Sequence, residues 1–488
     1  VGELADIMGR KRFMLPLALP TLAALTPPGY DVRILDEEME DLPADLAPDL
    51  VGITSTLVTQ KRALELADLF RARGSKVVLG GACSSFDHDT VLLHADAVVM
   101  GEAESVWEPL LADFAAGELK PRYRETTPFE FKRMPIPRWD LVDTRKLMAV
   151  GVQVSRGCPF GCEFCVVQKV FGRNHRYRDM DNVIDELKAL PQRQVFFVDD
   201  NLTANKVYMR EFLPRIAPLG LSWTCEVGLD VARDESFLEA MAHAGCSTML
   251  IGFESVNPAS LEETGKQQNR IDRYEEAIKR IHGVGIHVLG SFIAGFDQDD
   301  VRAFDDIADF AKRTHVSYVN LNLLTVAPGT DLHERLGREE RLVDADSDRL
   351  NGMYPSFRFA RMSHSQAYDA YFRILDRIYD PAEAASKGLA VLGNGAFVRP
   401  PPAVSFMEKV TGFWYLLKTY LFTRDRARQR MFLDIFALGR KGVADMGKVV
   451  EYLLFMASLR RFLDRNRGLR AATLKELQAN DVPPMNGQ

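Results

Sequence analysis

The 488-residue sequence predicts an α/β protein in three parts. First comes a doubly wound, Rossmann-like parallel sheet. Six further β/α units follow that suit a partial (β/α)6 barrel, and then a helical C-terminal extension. Three observations predict this. Short apolar runs alternate with helix-period segments through the first two parts, as parallel sheets require. A loop with three closely spaced cysteines follows the first strand of the second series. Beyond about residue 342 the strand-like runs stop and only helical patterns remain. Two or three domains are also what the length implies, at roughly 100–200 residues each.

In residues 1–123, strand-like runs fall at Asp31–Leu35, Leu50–Thr54, Lys76–Leu79 and Ala97–Met100. Helical patterns occupy Leu15–Leu25, Lys61–Arg73 and Ala103–Ala116; Leu64, Ala67, Leu69 and Phe70 have helical spacing. Ligands of doubly wound sheets sit beyond the carboxyl ends of the strands. Those ends carry Asp36-Glu37, Ser55-Thr56, Gly80-Gly81 and Gly101-Glu102, small and polar residues that let a ligand approach the backbone. No G-x-G-x-x-G follows a strand, so a dinucleotide is not expected. Residues 124–147, with Pro128, Pro135 and Pro137, lose periodicity and read as a surface connector. Trp139 is its expected anchor between the domains.

The second part spans residues 148–341. Its strand-like runs are Val150–Ser155, Gln194–Asp199, Ser222–Gly228, Thr248–Phe253, His287–Ala294 and Tyr318–Leu324. Helical segments lie between them, at Asp181–Leu190, Lys206–Ala217, Glu235–Ala244, Ile271–Val284 and Val301–Arg313. After the first strand comes Ser155-Arg-Gly-Cys-Pro-Phe-Gly-Cys-Glu-Phe-Cys165, which holds three of the six cysteines, Cys158, Cys162 and Cys165. Thiolates on one loop suit an iron–sulfur cluster or zinc. Three ligands are one short of a closed site, and an open coordination position is a catalytic feature. A zinc knuckle would need a fourth ligand, and His175 is the nearby candidate. Cys225 and Cys246 read as small buried residues.

The C-x3-C-x2-C spacing with Phe164 before the last cysteine resembles the radical S-adenosylmethionine (SAM) superfamily. The resemblance implies a [4Fe–4S] cluster on Cys158, Cys162 and Cys165, with SAM on the fourth iron and cleaved to a 5′-deoxyadenosyl radical. It further implies SAM contacts at the carboxyl ends of the barrel strands: Asp199, Asp200 and Asn201 for the amino group, then Glu254 and Ser255 in Ile251-Gly-Phe-Glu-Ser255, then Ile293 and Gly295 in Gly290-Ser-Phe-Ile-Ala-Gly-Phe296 for adenine. The alternative for Asp199–Asn201 is the N-cap of the next helix. Asn320, Asn322 and the Thr325–Thr330 loop end the sixth strand and face adenine or substrate, or close a turn.

Preceding such a barrel, residues 1–123 resemble the cobalamin-binding domain of many such enzymes. Matching pieces are Pro16–Leu19, Val32–Asp36, Val51–Thr54, Val77–Gly81 and Gly101–Glu104. The resemblance implies cobalamin contacts at Ser55, Thr56, Gly80, Gly81, Gly101 and Glu102. Two departures stand out: the first strand, expected before Pro16, is not recognisable, and Cys83 sits where a His often follows the Gly-Gly pair. The D-x-H-x-x-G motif that supplies a cobalt-ligating His is also absent.

The domain order resembles the class B radical SAM methyltransferases, and the C-terminal part most resembles the hopanoid C-methylases. Methylation of an unactivated carbon in a small-molecule or lipid-like substrate is the implied activity, fed by a reductase, flavodoxin or ferredoxin as electron donor. A non-methylating relative, the anaerobic cyclase of magnesium-porphyrin metabolism, is the runner-up. A non-catalytic cofactor-binding protein is the third reading.

Residues 342–488 carry helical patterns at His364–Tyr379, Val404–Phe422, Met431–Leu438 and Met446–Phe462, a break at Pro400–Pro402, and a tail expected to be disordered after Thr473. Phe397–Arg470 holds fifteen Lys/Arg against six Asp/Glu, although the whole chain has a net charge of −7. Two readings follow, a cap over the barrel and a basic amphipathic surface at the inner face of a membrane. Nucleic acid is not expected as a partner. Composition is that of a globular protein, 47% hydrophobic and 26% charged, with no run of the ~18 apolar residues a membrane span needs. A cytoplasmic location is expected from the sparse cysteines. The chain opens on Val rather than Met, which points to a missing start or an alternative codon.

Overall fold

A computed structural model describes residues 2–263, 265–266, 269–343, 349–399 and 406–485. The expected break at Pro400–Pro402 and the first residues of the Val404–Phe422 helix lie outside the described residues.

The first sheet is parallel, with strands β1 (Leu50–Thr54), β2 (Lys76–Gly80), β3 (Ala97–Met100) and β4 (Arg122–Arg124) in that order. Alternation along β2 explains its place. Val77 and Leu79 pack toward Ala67 and Phe70 of the helix Gln60–Ala72, while Val78 packs on the other face with Val99, Trp107 and Leu110. A strand buried on both faces reads as an unbroken apolar run, which is why it was easy to recognise.

The expected strand Asp31–Leu35 does not form; residues 31–36 are irregular. In a 2-1-3-4-5 parallel sheet the second strand reaches the others only through the first. Here residues 11–13, where a first strand would run, hydrogen-bond the start of the barrel instead. Met148 and Ala149 donate their N–H groups to Arg12 and Phe13 carbonyls at 2.9 Å each. Asp31–Leu35 therefore has no neighbour to pair with, and β1 becomes the sheet edge. β4 is a further departure, since a connector was expected from about there onward.

The second sheet has the order β12-β11-β10-β9-β8-β5, every pair parallel. Its strands are β5 (Val150–Val152), β8 (Gln194–Phe197), β9 (Ser222–Val227), β10 (Cys246–Glu254), β11 (His287–Ala294) and β12 (Tyr318–Leu323). Between β5 and β8, a short antiparallel pair, β6 (Ser155–Arg156) and β7 (Arg176–Tyr177), brackets the cysteine loop. The sheet is an open, six-stranded partial barrel in which each strand pairs with its predecessor. Alternate residues such as Phe197, Cys225, Ile251 and Phe292 are fully buried under the helices. Their neighbours Phe196, Thr224, Glu226, Ser291, Ile293, Asn320 and Asn322 face the inside and all remain accessible. The barrel interior is thus an open lumen.

The β12 edge of this sheet is covered, as an unpaired strand demands. The hydroxyls of Tyr371 and Tyr379 donate to the β12 carbonyls of Leu321 (3.0 Å) and Val319 (2.5 Å). Tyr371 lies on the helix His364–Ile378 and Tyr379 caps it. Asp380-Pro381, read as a stop, also starts the next helix, Pro381–Leu392: the Asp380 carboxylate accepts from Ala382 N at 2.9 Å, and Pro sits at the first helical position. Two helices, Arg426–Arg440 and Met446–Arg465, complete an apolar core continuous with the barrel. The tail is ordered well past Thr473. It forms the helix Arg467–Ala479, with Thr473 buried and Asp481 accepting from Ser363 Oγ at 2.7 Å. The short helix Gly2–Ile7 buries Ala5 and Ile7 against Met446–Arg465, where Glu3 pairs with Arg461 (2.8 Å) and Arg465 (2.7 Å).

Candidate functional site

The carboxyl ends of the two sheets face each other. At the end of β3, Glu102 is 3% exposed and meets the barrel. Arg156, in β6, donates to its Oε1 at 3.0 Å, and Arg176, in β7, donates to Oε1 at 2.6 Å and Oε2 at 2.8 Å. Arg156 also pairs with Glu104 at 2.8 Å and lies over the ring of Phe131, in the connector, at 4.7 Å. Burial alone would raise the Glu102 pKa, but the two guanidinium groups outweigh it and hold it below the usual carboxylate range. The Glu102 carboxylate thus joins the two domains through Arg156 and Arg176. A second bridge lies at Gly329, in the turn after β12. Its φ is +79°, and a Cβ there would stand 2.2 Å from the ring of Phe86, which follows β2.

Between these bridges sits the cysteine loop. Cys158, Cys162 and Cys165 are half-buried and free. Burial pushes up all three thiols, Cys165 to about 12. They stay protonated until a metal supplies positive charge, so loading must release protons. The loop is pinned at both ends. Gly157 (φ +92°) could carry no Cβ, because one would stand 2.6 Å from the Asn174 carbonyl. Glu163 accepts from Arg335 Nε at 2.6 Å, and Phe164 packs near Phe296 with ring centroids 6.4 Å apart. Among the described residues no three His, Cys, Asp or Glu close around a single ion. The zinc alternative also fails at His175, whose Nε2 meets Ser155 Oγ (2.9 Å) and whose Nδ1 meets Tyr177 OH (2.6 Å). Three half-buried thiols spread along one pinned loop fit a cluster that binds each cysteine to a different iron.

After β8, the three expected residues separate. Asp199 is buried and accepts from Val154 N (3.2 Å), Ser155 N and Ser155 Oγ (2.5 Å). Burial raises its pKa to about 7 against those hydrogen bonds. It fastens the cysteine loop to the sheet. Asp200 accepts from Gly157 N at 3.2 Å and lies close enough to Cys158 and Cys165 for its charge to act on both. Asn201 is buried, with its Oδ1 accepting from Thr203 Oγ1 at 3.4 Å. None of the three caps the next helix; Asn205 does, accepting from Val207 and Tyr208 N–H at 3.1 Å each.

At the end of β10, Glu254 has φ +62°, strained for a non-glycine residue. Its carboxylate pairs with Lys266 Nζ at 2.5 Å, and Lys266 also donates to the Gly252 carbonyl at 3.1 Å. A Cβ on Gly252 would stand 2.4 Å from the Glu254 carboxylate, so glycine makes room for this pair. Ser255 accepts from Asn257 N at 3.0 Å. On β11, Ile293 lies at a lumen-side position and is partly exposed. Gly295 does not offer its open side to a ligand: a Cβ there would stand 2.7 Å from the ring of Phe359, from the C-terminal extension. Asn320, on β12, donates from Nδ2 to Ser291 Oγ at 3.3 Å across the lumen wall.

Sequence reasoning missed Glu226 and Lys266. Glu226 lies within β9 on the lumen side. Its side chain stays open to the lumen, although the protein packed around it removes part of its hydration. Burial pushes its pKa up to about 7, with Glu254 and Asp200 adding to the rise and Lys266 opposing it. A polar residue at alternating phase inside an apolar strand is the signal that could have found it. Lys266 sits in a segment without periodicity and left no signal.

On the facing sheet, Ser55 Oγ is buried without a hydrogen-bond partner. It stands at the carboxyl end of β1, where an orphaned hydroxyl fits a bound polar ligand. Gly81 (φ +104°) passes so close that a Cβ would lie 2.2 Å from the Ser55 carbonyl. Thr56 is occupied locally, its N–H donating to Thr59 Oγ1 at 2.9 Å as a helix cap. Gly80 closes β2, its carbonyl accepting from Ser55 N at 3.1 Å, and Gly101 N donates to Ser85 Oγ at 3.0 Å.

The chain matches the family model of the Radical SAM superfamily over residues 152–311 and that of the B12 binding domain over residues 11–111. It is 30% identical over 378 residues to bacteriochlorophyllide d C-12(1)-methyltransferase of Chlorobaculum tepidum, covering 75% of this chain and 82% of that one. It is 27% identical to the hopanoid C-2 methylase of Rhodopseudomonas palustris (76% and 72% covered). Identity is also 27% to the anaerobic magnesium-protoporphyrin IX monomethyl ester cyclase of Rubrivivax gelatinosus (93% and 84% covered). In fold it resembles the radical S-adenosylmethionine methyltransferase TsrM of Kitasatospora setae, solved with cobalamin and a [4Fe–4S] cluster bound. The TM-score is 0.60 at 15% identity, covering 86% of this chain and all of that one.

Proposed function

Since the chain belongs to the cobalamin-binding radical SAM enzymes, whose cofactors are a [4Fe–4S] cluster, SAM and cobalamin, we propose that it methylates an unactivated carbon of a small-molecule substrate. One observation carries this reading: the cysteine loop and the orphaned Ser55 hydroxyl lie at the facing carboxyl ends of two sheets, joined by the Glu102 ion cluster. When bound, the cluster and SAM supply hydrogen-atom abstraction and cobalamin supplies a methyl carrier.

The chain's own residues prepare the space. Cys158, Cys162 and Cys165 hold the cluster. Asp199 fixes the loop that presents them, and Asp200 tunes the charge beside it. Glu254 and Lys266, paired with each other, carry one charge of each sign with which the ammonium and carboxylate of an amino acid would exchange. Ile293 gives an apolar wall for a base. Glu226 lies within the same lumen and, with a pKa near 7, can hold or give up a proton at its carboxyl oxygen.

The test is anaerobic reconstitution with cobalamin, methyl-labelled SAM and reductant, followed by mass spectrometry for 5′-deoxyadenosine and labelled product. Wild type yields deoxyadenosine; Cys162→Ala yields none and loses the cluster absorbance. A wild-type chain that takes up zinc and no iron would overturn the proposal. A second reading, oxidative cyclisation, is favoured by the match to the cyclase of Rubrivivax gelatinosus across 93% of this chain. A product that has lost hydrogen and carries no label would select it.

A further inference from the structure

The helix Phe406–Leu416 turns an apolar row outward. Val410, Phe413 and Trp414 are 46%, 45% and 61% exposed, at spacings that put them on one face. Phe422, 67% exposed, packs edge-on against Trp414 with centroids 6.0 Å apart. Opposite this row the helix is buried at Gly412 and Leu416, so the exposed face is the one left without a partner. Charge surrounds it. Lys409 and Lys418 extend the same rows at either end, and Arg424 and Arg426 follow Phe422. None of these four has an acidic partner among the described residues. The nearby Asp425 is engaged in capping the next helix and in a 3.1 Å pair with Arg428.

An exposed aromatic row flanked by four cations that have no acidic partner among the described residues does not resemble a pocket for a small molecule. A protein interface would bury such a row in a complementary groove. A bilayer accepts it as it stands, with aromatic rings at the headgroup level and Lys/Arg reaching the phosphates. We propose that this face docks the enzyme onto the surface of an anionic phospholipid bilayer. Contact is peripheral: among the described residues no helix is long and apolar enough to cross a membrane.

The full chain is tested by co-sedimentation with vesicles of phosphatidylglycerol mixed with phosphatidylcholine, and of phosphatidylcholine alone. Wild type pellets with the anionic vesicles and is released by salt. Arg424→Gln and Arg426→Gln change only exposed side chains and leave the fold intact; each lowers the partition roughly fivefold. Trp414→Ala lowers it further at unchanged unfolding temperature. No pelleting with either vesicle overturns the proposal. So does equal pelleting on both, or an unchanged partition in the arginine variants. Self-association that Trp414→Ala abolishes, without vesicle binding, assigns the face to a second copy and overturns it too.

Discussion

Glu102→Gln tests the junction between the two sheets. Wild-type Glu102 takes three charge-assisted hydrogen bonds, at 2.6, 2.8 and 3.0 Å, from two arginines, and its side chain is 1% exposed. The amide keeps one acceptor oxygen but removes the negative charge, leaving the buried Arg156 with Glu104 as its one paired carboxylate among the described residues, beside the neutral Gln153. Breaking a buried pair from one side costs about 3–5 kcal/mol; the retained acceptor places this case near 3 kcal/mol. With a urea slope of about 2 kcal/mol per molar for a unit of this size, the first unfolding transition moves down by about 1.5 M. The assay is urea unfolding followed by far-UV circular dichroism, with proteolysis of residues 124–147 as a second readout. The pH dependence has a fixed sign. A carboxylate held below its ordinary pKa stabilises the fold above the ordinary range, and that contribution is lost as pH falls through the folded value. The gap between wild type and variant therefore closes on acidification. A midpoint within about 0.3 M of wild type at neutral pH would refute the claim that Glu102 joins the domains.

Three further expectations rest on the geometry. Glu226, with its pKa raised to about 7, destabilises the fold as it ionises, so wild type loses stability relative to Glu226→Gln as pH rises from about 5 to about 8; parallel thermal-unfolding profiles would contradict this. Gly81→Ala forces a Cβ to 2.2 Å from the Ser55 carbonyl at φ +104°, and should cost at least about 3 kcal/mol and abolish cobalamin binding by absorbance titration. Gly74→Ala, at φ +90° with nothing within 4 Å, should cost only about 1 kcal/mol in the same unfolding assay.

Periodicity made much of this fold legible. Val77–Leu79 and Val98–Met100 are buried on both faces, and the barrel strands alternate between helix-covered and lumen-facing residues; both patterns survive in a linear sequence. The misses share a cause, which is dependence on a partner remote in the chain. Asp31–Leu35 has the composition of a strand, but strand formation needs a neighbour, and residues 11–13 went to the barrel. The tail beyond Thr473 looks polar, yet Asp481 is held by Ser363 and Ser365. At the site, the cysteine spacing spoke for itself. Asp199, Gly295 and Glu102 carried the right chemistry at the right strand ends, and only packing shows that Ser155, Phe359 and two arginines contact them. Lys266 was invisible because no local pattern distinguishes a lysine that folds back onto a strand end from one that meets water.

The clasp between Glu3 and Arg465 joins residues 462 positions apart. On a ribosome adding ~5–20 residues per second, Ala5 and Ile7 wait roughly 20 to 90 seconds before the helix that covers them has been synthesised. Through that interval the barrel's first edge can close over residues 11–13 while the segment ahead of them stays uncovered. The helix Gly2–Ile7 therefore finds its cover only after every strand of the barrel has been made.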